Sequence, residues 1–130
     1  MPNLTSEQRK IVDGKNIAFV ATINKDGSPH VSPVWIDTDG KMIFINSAEK
    51  RQKTLNLGRD PRVSIAIVDA SNPYSKLIVK GKVAQRITGK QADEHIDKLA
   101  KKYLGQDKYP NRQPGEQRVL FAVEPTKVSN

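Results

Sequence analysis

The residues with the clearest chemical potential are the basic side chains of the segment SAEKRQKTLNLGRDPR, residues 47–62. Five of its residues are Lys or Arg and two are acidic, and it follows the apolar stretch KMIFIN. The part AEKRQKTLNLG has helical character, with Ser47 as predicted N-cap and Gly58 as stop. A phosphate near the start of this helix would meet free backbone N–H groups and the positive end of the helix dipole. A solvated basic face remains the alternative.

Three side chains of this segment suit a phosphate. The Ser47 hydroxyl can donate a hydrogen bond, Arg51 offers a planar fork and Lys53 a compact charge. Positions two apart do not share one helix face. Arg51 and Lys53 therefore reach the same anion only if it lies at the helix end or the helix is irregular. The RDPR stretch further on is interpreted as a structural turn in which Asp60 acts as a cap or pairs with a neighbouring Arg.

Other site chemistries find little support in the sequence. The chain has no cysteine, which excludes disulfides, thiolate metal ligands and a Cys nucleophile. The two histidines lack the paired spacing of a metal site. No nucleophile elbow, glycine-rich dinucleotide loop or P-loop is present. We therefore predict no metal and name no catalytic residue.

Composition describes an ordinary globular chain of 130 residues, predicted to be a single domain over residues 1–130. The net charge of +8 favours anionic partners such as nucleic acid, phosphates or polyanionic cofactors. Aromatics make up only 5%, too few for a base-stacking platform, so we predict no nucleic-acid partner. No long apolar run or signal-like N-terminus is present, so the expected location is cytoplasmic with no membrane partner.

Periodicity and turn signals predict a mainly β chain with peripheral helices, in the order α-β-β-β-α-β-β-α-β. Pro33 predicts an edge or bulged strand, and Gly81 a bulge or bend. SNPYS is interpreted as a loop, and NKDGS and DTDG as hairpin turns at Gly27 and Gly40. Thr5 with Gln8, and Thr88 with Gln91, have the spacing of capping boxes. The predicted elements are a helix over 4–14, strands over 16–23, 29–36 and 41–47, a helix over 48–58, strands over 62–70 and 76–87, a helix over 88–105 and a strand over 118–125.

Taken in order, several segments resemble the pyridoxamine-5'-phosphate-oxidase-like split-barrel family, in its flavin/deazaflavin oxidoreductase branch that uses coenzyme F420. They are VATINKDGSPHVSPVWI, KMIFINSAEKRQKTLNLGRDPRVSIAIVD, NPYSKLIVKGKV, ADEHIDKLAKKYLG and PGEQRVLFAVEPTKV. NLGRDPRVS is the most distinctive motif. The resemblance covers nearly the whole chain. It implies a six-stranded antiparallel split β-barrel and a homodimer with two cofactor sites at the subunit interface.

The resemblance also implies a set of cofactor-binding residues. Arg51 and Lys53 fall where the family's phosphate ligands lie. Tyr74 falls where a residue reaches the partner subunit's cofactor, although many relatives have Arg next and this chain has Ser75. The ring slot would be lined by Val34 and Trp35 from the second strand and by Phe44, Ile45 and Asn46 from the third. Trp35 could equally serve in core or interface packing.

The implied function is an oxidoreductase that binds F420 and transfers hydride to a small organic acceptor. An FMN-dependent enzyme on the same scaffold is the first alternative, and a non-enzymatic flavin- or haem-binding protein is the second. The basic balance of the chain leans towards F420, because its tail carries several carboxylates.

Overall fold

The computed structural model describes residues 3–130; Met1 and Pro2, which the sequence analysis counted in the single domain, lie outside it. Within the described residues, three helices pack around one seven-stranded antiparallel sheet. In chain order the elements are α1 Ser6–Asp13, β1 Ala18–Ile23, β2 Pro29–Val34, β3 Ile36–Thr38, β4 Ile43–Ala48, α2 Gln52–Arg59, β5 Arg62–Asp69, β6 Asn72–Thr88, α3 Lys90–Leu104 and β7 Arg118–Ser129.

The sheet curls so that its two edges meet at one residue. The strand order is β2-β1-β5-β6-β7-β4-β3, so β2 and β3 are the two edge strands. Only Trp35 separates them along the chain. The predicted long second strand is thus divided, with β2 paired to β1 and β3 paired to β4. This division gives seven strands where six were predicted, and it opens the barrel at Trp35.

Turn chemistry and one glycine shape the sheet as predicted. Gly27 and Gly40 adopt φ of 88° and 95° in the turns after β1 and β3, a region that favours glycine. Pro33 lies on edge strand β2, where a missing N–H costs no ladder bond in the interior. The β6–β7 register shifts at Gly81, and a Cβ there would lie 2.5 Å from the Glu124 carbonyl oxygen. The bend in β6 therefore requires glycine.

The core fills the concave side of the curled sheet. Alternate side chains of the strands point inwards, and α1 contributes Ile11 and Val12. Burial of such apolar surface is the main stabilising contribution. Fully buried large side chains include Ile36, Ile43, Ile45, Ile65, Ile67, Leu77 and Phe121.

Several predicted helix and loop details are wrong. Arg51, not Ser47, is the N-cap of α2, because Ser47 continues β4. Gly58 lies inside α2, which ends at Arg59. The predicted SNPYS loop is mostly strand, since β6 begins at Asn72.

The N-terminal ends of the other two helices differ from each other. Thr88 ends β6, and Gly89 is the N-cap of α3 without a side-chain cap, so the second predicted capping box is absent. The first, formed by Thr5 and Gln8, is confirmed. None of the helices in residues 3–130 is long and apolar enough to cross a membrane.

Candidate functional site

A pocket of about 280 Å³ lies where the barrel opens. Its walls come from the end of β2 and Trp35, from β4, α2 and α3, from the loop after α3, and from the start of β7. Three of the described residues that line the pocket are cations, and none of these lining residues is Asp or Glu. The lining residues are Pro33, Val34, Trp35, Asn46, Ser47, Arg51, Lys53, Ile96, Leu99, Tyr109, Asn111 and Arg118.

Six of the nine residues that the sequence analysis selected line this pocket: Val34, Trp35, Asn46, Ser47, Arg51 and Lys53. Phe44, Ile45 and Tyr74 do not. Phe44 is half-buried and packs edge-on against His95, with ring centroids 6.1 Å apart. Ile45 points the other way from the strand, into the core. Tyr74 is 90% exposed on β6.

Arg51 and Lys53 meet the geometric condition set by their spacing, because both lie at the first turn of α2. Arg51 is the N-cap and is exposed, and its side chain forms no capping hydrogen bond. Lys53 is the second helical residue and is only 7% exposed. Within residues 3–130, neither side chain has a hydrogen bond or an ion pair. The two cations thus approach one pocket from a helix N-terminus whose own dipole also favours an anion.

The electrostatics of Lys53 mark the pocket as a place that lacks negative charge. Burial, followed by the positive charges of Arg51 and Arg118, lowers the pKa of Lys53 from its usual value of 10.5. Each of these causes opposes a charged ammonium group. A bound anion would counter all three, because it would compensate the lost hydration and separate like charges.

Arg118, the most buried cation of the pocket, was not predicted from the sequence. Arg118 begins β7 and pairs with Ala48, and it is 5% exposed. Its Nε donates to Asn46 Oδ1 at 2.9 Å, and its Nη1 donates to Glu116 Oε1 at 2.8 Å. The guanidinium lies 5.2 Å from the centre of the Tyr109 ring. The sequence holds no local signal for Arg118, because its place in the pocket depends on the pairing of β7 with β4.

Aromatic stacking fixes Trp35 on the apolar side of the pocket. Its ring lies parallel to that of Tyr103 at 5.2 Å and meets Tyr109 edge-on at 5.9 Å. The Tyr103 hydroxyl donates to the Asn16 carbonyl at 2.7 Å and accepts from the Ile36 N–H at 3.3 Å. Burial raises the pKa of Tyr103, which keeps its hydroxyl protonated as a donor. The tryptophan is thus held between α3 and the loop that follows it.

Side-chain hydrogen bonds from α2 to β4, to β1 and to the residue after β1 fix the position of this helix. Thr54 Oγ1 donates to Ser47 Oγ at 2.8 Å, which joins the first turn of α2 to β4. Asn56 Nδ2 donates to Thr22 Oγ1 at 3.0 Å and to Asn24 Oδ1 at 2.9 Å. Ser47, Thr54 and Asn56 are all buried. The helix end that carries Arg51 and Lys53 is therefore held in place before any ligand arrives.

The RDPR stretch joins α2 to β5: Arg59 ends the helix and Arg62 begins the strand, so it is not the separate turn that was predicted, but the predicted pairing of Asp60 with a neighbouring Arg is confirmed. Asp60 Oδ2 forms an ion pair with Arg62 Nη2 at 2.8 Å. Hydrogen bonds from the Arg62 side chain and backbone lower the pKa of Asp60 to about 2. Arg59 donates to the Ile23 carbonyl at 2.6 Å. These two arginines have local structural partners and do not line the pocket.

A second, wider pocket of about 600 Å³ adjoins the first at Arg51. It lies between the β4–α2 connection, which includes Glu49 and Lys50, and residues 113–117 before β7. Its charges are mixed. A ligand anchored in the first pocket has room to extend past Arg51 along the surface of the chain.

An exposed row of apolar side chains crosses the outer face of the sheet next to the pocket. Pro33, Phe19, Ala66 and Ile78 are direct cross-strand neighbours on β2, β1, β5 and β6, and all four are exposed. Phe19 is 46% exposed, and Val31, two residues before Pro33 on the same face of β2, is 60% exposed. Pro33 belongs both to this row and to the pocket lining.

Comparison with known proteins adds a family and a set of similar folds. A sequence model of the pyridoxamine 5'-phosphate oxidase family matches residues 4–130. A solved structure named F420 reductase is similar over 97% of this chain and 98% of its own, with 27% identity and a TM-score of 0.84.

Two further structures share the fold at lower identity. The conserved hypothetical protein Rv2991 from Mycobacterium tuberculosis is 24% identical, with a TM-score of 0.75, over 97% of this chain and 84% of its own. The HupZ protein of Group A Streptococcus is 19% identical, with a TM-score of 0.70, over 96% and 91%. The family match and the likeness to the F420 reductase structure confirm the predicted split-barrel architecture.

Proposed function

The chain belongs to the pyridoxamine 5'-phosphate oxidase family, and from this premise we propose that it is an oxidoreductase that binds coenzyme F420 and transfers hydride to a small organic acceptor. Flavin- and deazaflavin-type cofactors of this family share a phosphate and a flat redox-active ring. The pocket has separate features that suit each of these parts.

The observation that carries the proposal is Lys53. A buried ammonium group without a partner in the described residues, flanked by Arg51 and Arg118, is costly unless an anion compensates it. The same helix end supplies backbone N–H groups that no side chain caps. A phosphate fits this donor set, because Arg and Lys donors and a helix N-terminus are its common ligands in proteins.

The other side of the pocket suits an aromatic ring. Val34, Trp35, Ile96 and Leu99 supply apolar surface, and Asn46 and Asn111 supply polar groups. When bound, the coenzyme supplies a hydride to an acceptor. The chain's own residues hold the phosphate, orient the ring beside Trp35 and limit the access of water. No residue is proposed as a general acid or base, because solvent can provide the proton.

Three features favour F420 over FMN within this proposal. The net charge of +8 attracts a polycarboxylate tail. The wider pocket past Arg51 offers room for a tail. The similar structure at 27% identity is named F420 reductase.

We further propose that the active form is a homodimer with two sites at the interface. The pocket that holds Lys53 has a volume of only about 280 Å³, just below the usual range of small-molecule sites. The exposed apolar row through Pro33 and Phe19 ends at the pocket mouth, so a second copy on this face would add a wall. Tyr74, exposed on its own chain, would then reach the partner's coenzyme.

The experiment is a side-by-side titration of F420, FMN and FAD, followed by the fluorescence of each ligand. We expect tight binding of F420, and a loss of about 1–3 kcal/mol in Arg51→Ala and in Lys53→Ala as charge-assisted hydrogen bonds disappear. Lys41→Ala, an exposed lysine in the β3–β4 turn, is the control for net charge. Unchanged affinity in both site variants would overturn the assignment.

Turnover separates an enzyme from a carrier. Reduced F420 incubated with the protein and a panel of conjugated acceptors should be oxidised faster than without protein. Protein that is yellow as purified, with tight FMN binding and weak F420 binding, would favour the FMN-dependent alternative. Binding without any consumption of reduced coenzyme would favour a storage or carrier protein.

A further inference from the structure

Four buried side chains form a continuous hydrogen-bonded chain that runs from the protein interior into the pocket. They are Asp37 of β3, His95 of α3, Asn46 of β4 and Arg118 of β7. Nε2 of His95 lies 2.7 Å from Asp37 Oδ1, and Nδ1 lies 3.0 Å from Asn46 Nδ2. Asn46 Oδ1 accepts from Arg118 Nε. Only the Asn46–Arg118 end lines the pocket.

The orientation of the Asn46 amide is fixed from two sides. Arg118 Nε can only donate, so it must face the amide oxygen. The Ala92 carbonyl can only accept, and it lies 2.9 Å from Asn46 Nδ2. The amide nitrogen therefore faces α3 and the amide oxygen faces Arg118. A flipped amide would set donors against Arg118 and lose the bond to Ala92.

This orientation determines which nitrogen of His95 carries the hydrogen. Nδ1 receives a hydrogen bond from Asn46, so the ring hydrogen lies on Nε2 and is donated to Asp37. Lys98 Nζ lies 3.2 Å from the other Asp37 oxygen. Burial would raise the pKa of Asp37, but the hydrogen bonds from His95 and Lys98 and the positive charge of Lys98 outweigh it and lower the pKa. Asp37 is thus a carboxylate that anchors one end of the chain.

At the pocket end, Arg118 keeps one donor group free. Asn46 takes Nε and Glu116 takes Nη1, whereas Nη2 has no hydrogen bond within residues 3–130. The Tyr109 ring packs on the guanidinium. Held on three sides, the guanidinium can present its remaining N–H groups to a ligand at little entropic cost.

We propose that Arg118 is a third anion-binding residue beside Arg51 and Lys53, and that His95 and Asp37 are positioning residues that hold it through Asn46. The proposal rests on the proposed function for the identity of the ligand, although the anion chemistry does not depend on it. If His95 acts by positioning Arg118, substitution of His95 should weaken ligand binding only when Arg118 is present.

The test combines the ligand-free protein with a double-mutant cycle. Imidazole ¹⁵N NMR of the wild type should show His95 as the Nε2–H tautomer near neutral pH. F420, FMN and inorganic pyrophosphate are then titrated into wild type, Arg118→Met, His95→Phe and the double variant. Arg118→Met should weaken binding about tenfold or more. His95→Phe should weaken it about three- to tenfold alone, and not at all in the Arg118→Met background.

A conservative variant controls for damage to the fold. In His95→Asn, the amide oxygen can replace Nδ1 as acceptor for Asn46, so binding should recover to within about twofold of wild type. A His95 that carries its hydrogen on Nδ1, unchanged binding of all three probes in Arg118→Met, or an undiminished His95→Phe effect in the double variant would each overturn the proposal. Binding of pyrophosphate through Arg118 without binding of either coenzyme would overturn only the proposed function. No binding of any probe to the wild type would overturn both.

Discussion

Lys53 of α2 and Arg118 of β7 are two buried cations that line the same pocket, and the charge of Arg118 contributes to the lowered pKa of Lys53. Two like charges brought together by separate elements destabilise the ligand-free protein. An anion between them would reverse this effect. The predictions below follow from this arrangement and from the elements around it.

The first prediction is a trade-off between stability and binding at Lys53. In Lys53→Met the buried charge disappears while the aliphatic volume is kept. The free energy of unfolding of the ligand-free protein should rise by about 1 kcal/mol, as expected when an uncompensated buried charge is removed. Urea denaturation measures this change. F420 affinity should fall at least about tenfold. Lys41→Met should change neither quantity, and a destabilised Lys53→Met variant would show that the ammonium group has a partner.

The second prediction concerns alkaline pH. The folded state lowers the pKa of Lys53 below its ordinary value of 10.5. Between the lowered pKa and pH 10.5, the folded chain therefore binds fewer protons than the unfolded chain. The contribution of Lys53 to the free energy of unfolding therefore increases as pH rises through this window. Coenzyme binding should weaken over the same window, because the ammonium group loses its charge. Isothermal titration of the coenzyme into wild type and Lys53→Met at several pH values measures this loss of affinity. The part of the pH dependence that is due to Lys53 must be absent from the variant.

The third prediction concerns acid stability through Asp37. The folded state lowers the pKa of Asp37 below 3.8, so its contribution is complete above pH 3.8 and is lost as pH falls through the folded-state value. Asp37→Asn should lower the free energy of unfolding at neutral pH by about 1–3 kcal/mol, because charge-assisted bonds to His95 and Lys98 are lost. It should also reduce the slope of stability against pH below 3.8. Asp107→Asn, an exposed acidic residue, is the matched control. An equal acid dependence in both variants would refute this role of Asp37.

The fourth prediction tests the proposed homodimer. A charge placed in the exposed apolar row should prevent a second copy from packing there, because an unpaired buried carboxylate is strongly disfavoured. Phe19→Asp is therefore expected to sediment as a monomer, and wild type as a dimer. Leu55→Asp, an exposed apolar residue of α2 outside this row, should remain dimeric. A wild type that is monomeric at micromolar concentration would contradict the proposal directly.

Local chemistry made much of the fold predictable from the sequence. The hairpin turns at Gly27 and Gly40 and the Thr5–Gln8 capping box depend on neighbouring residues alone, and each was predicted. The division of the second strand at Trp35 was not predicted. It results from the closure of the curled sheet, in which β2 pairs with β1 and β3 with β4. No local sequence pattern indicates that change of pairing partner.

In the candidate site, too, the residues that depend on long-range contacts were not predicted. Arg51 and Lys53 stood out because they are neighbours in a basic segment. Arg118 did not stand out, because its burial depends on pairing with β4 and on a hydrogen bond to Asn46, 72 residues away in the chain. Ser47 was expected to cap α2, whereas its hydroxyl accepts from Thr54 within the fold. Contacts between distant segments, rather than local propensity, decided these residues.

The central claim is that Lys53, buried and without a partner in residues 3–130, and the neighbouring Arg51 hold the phosphate of a redox coenzyme. A crystal structure of the protein soaked with F420 tests it most directly. We predict the coenzyme phosphate within hydrogen-bond distance of Lys53 Nζ and of the Arg51 guanidinium, with the ring beside Trp35. Coenzyme bound elsewhere on the chain, with this pocket empty, would contradict the account.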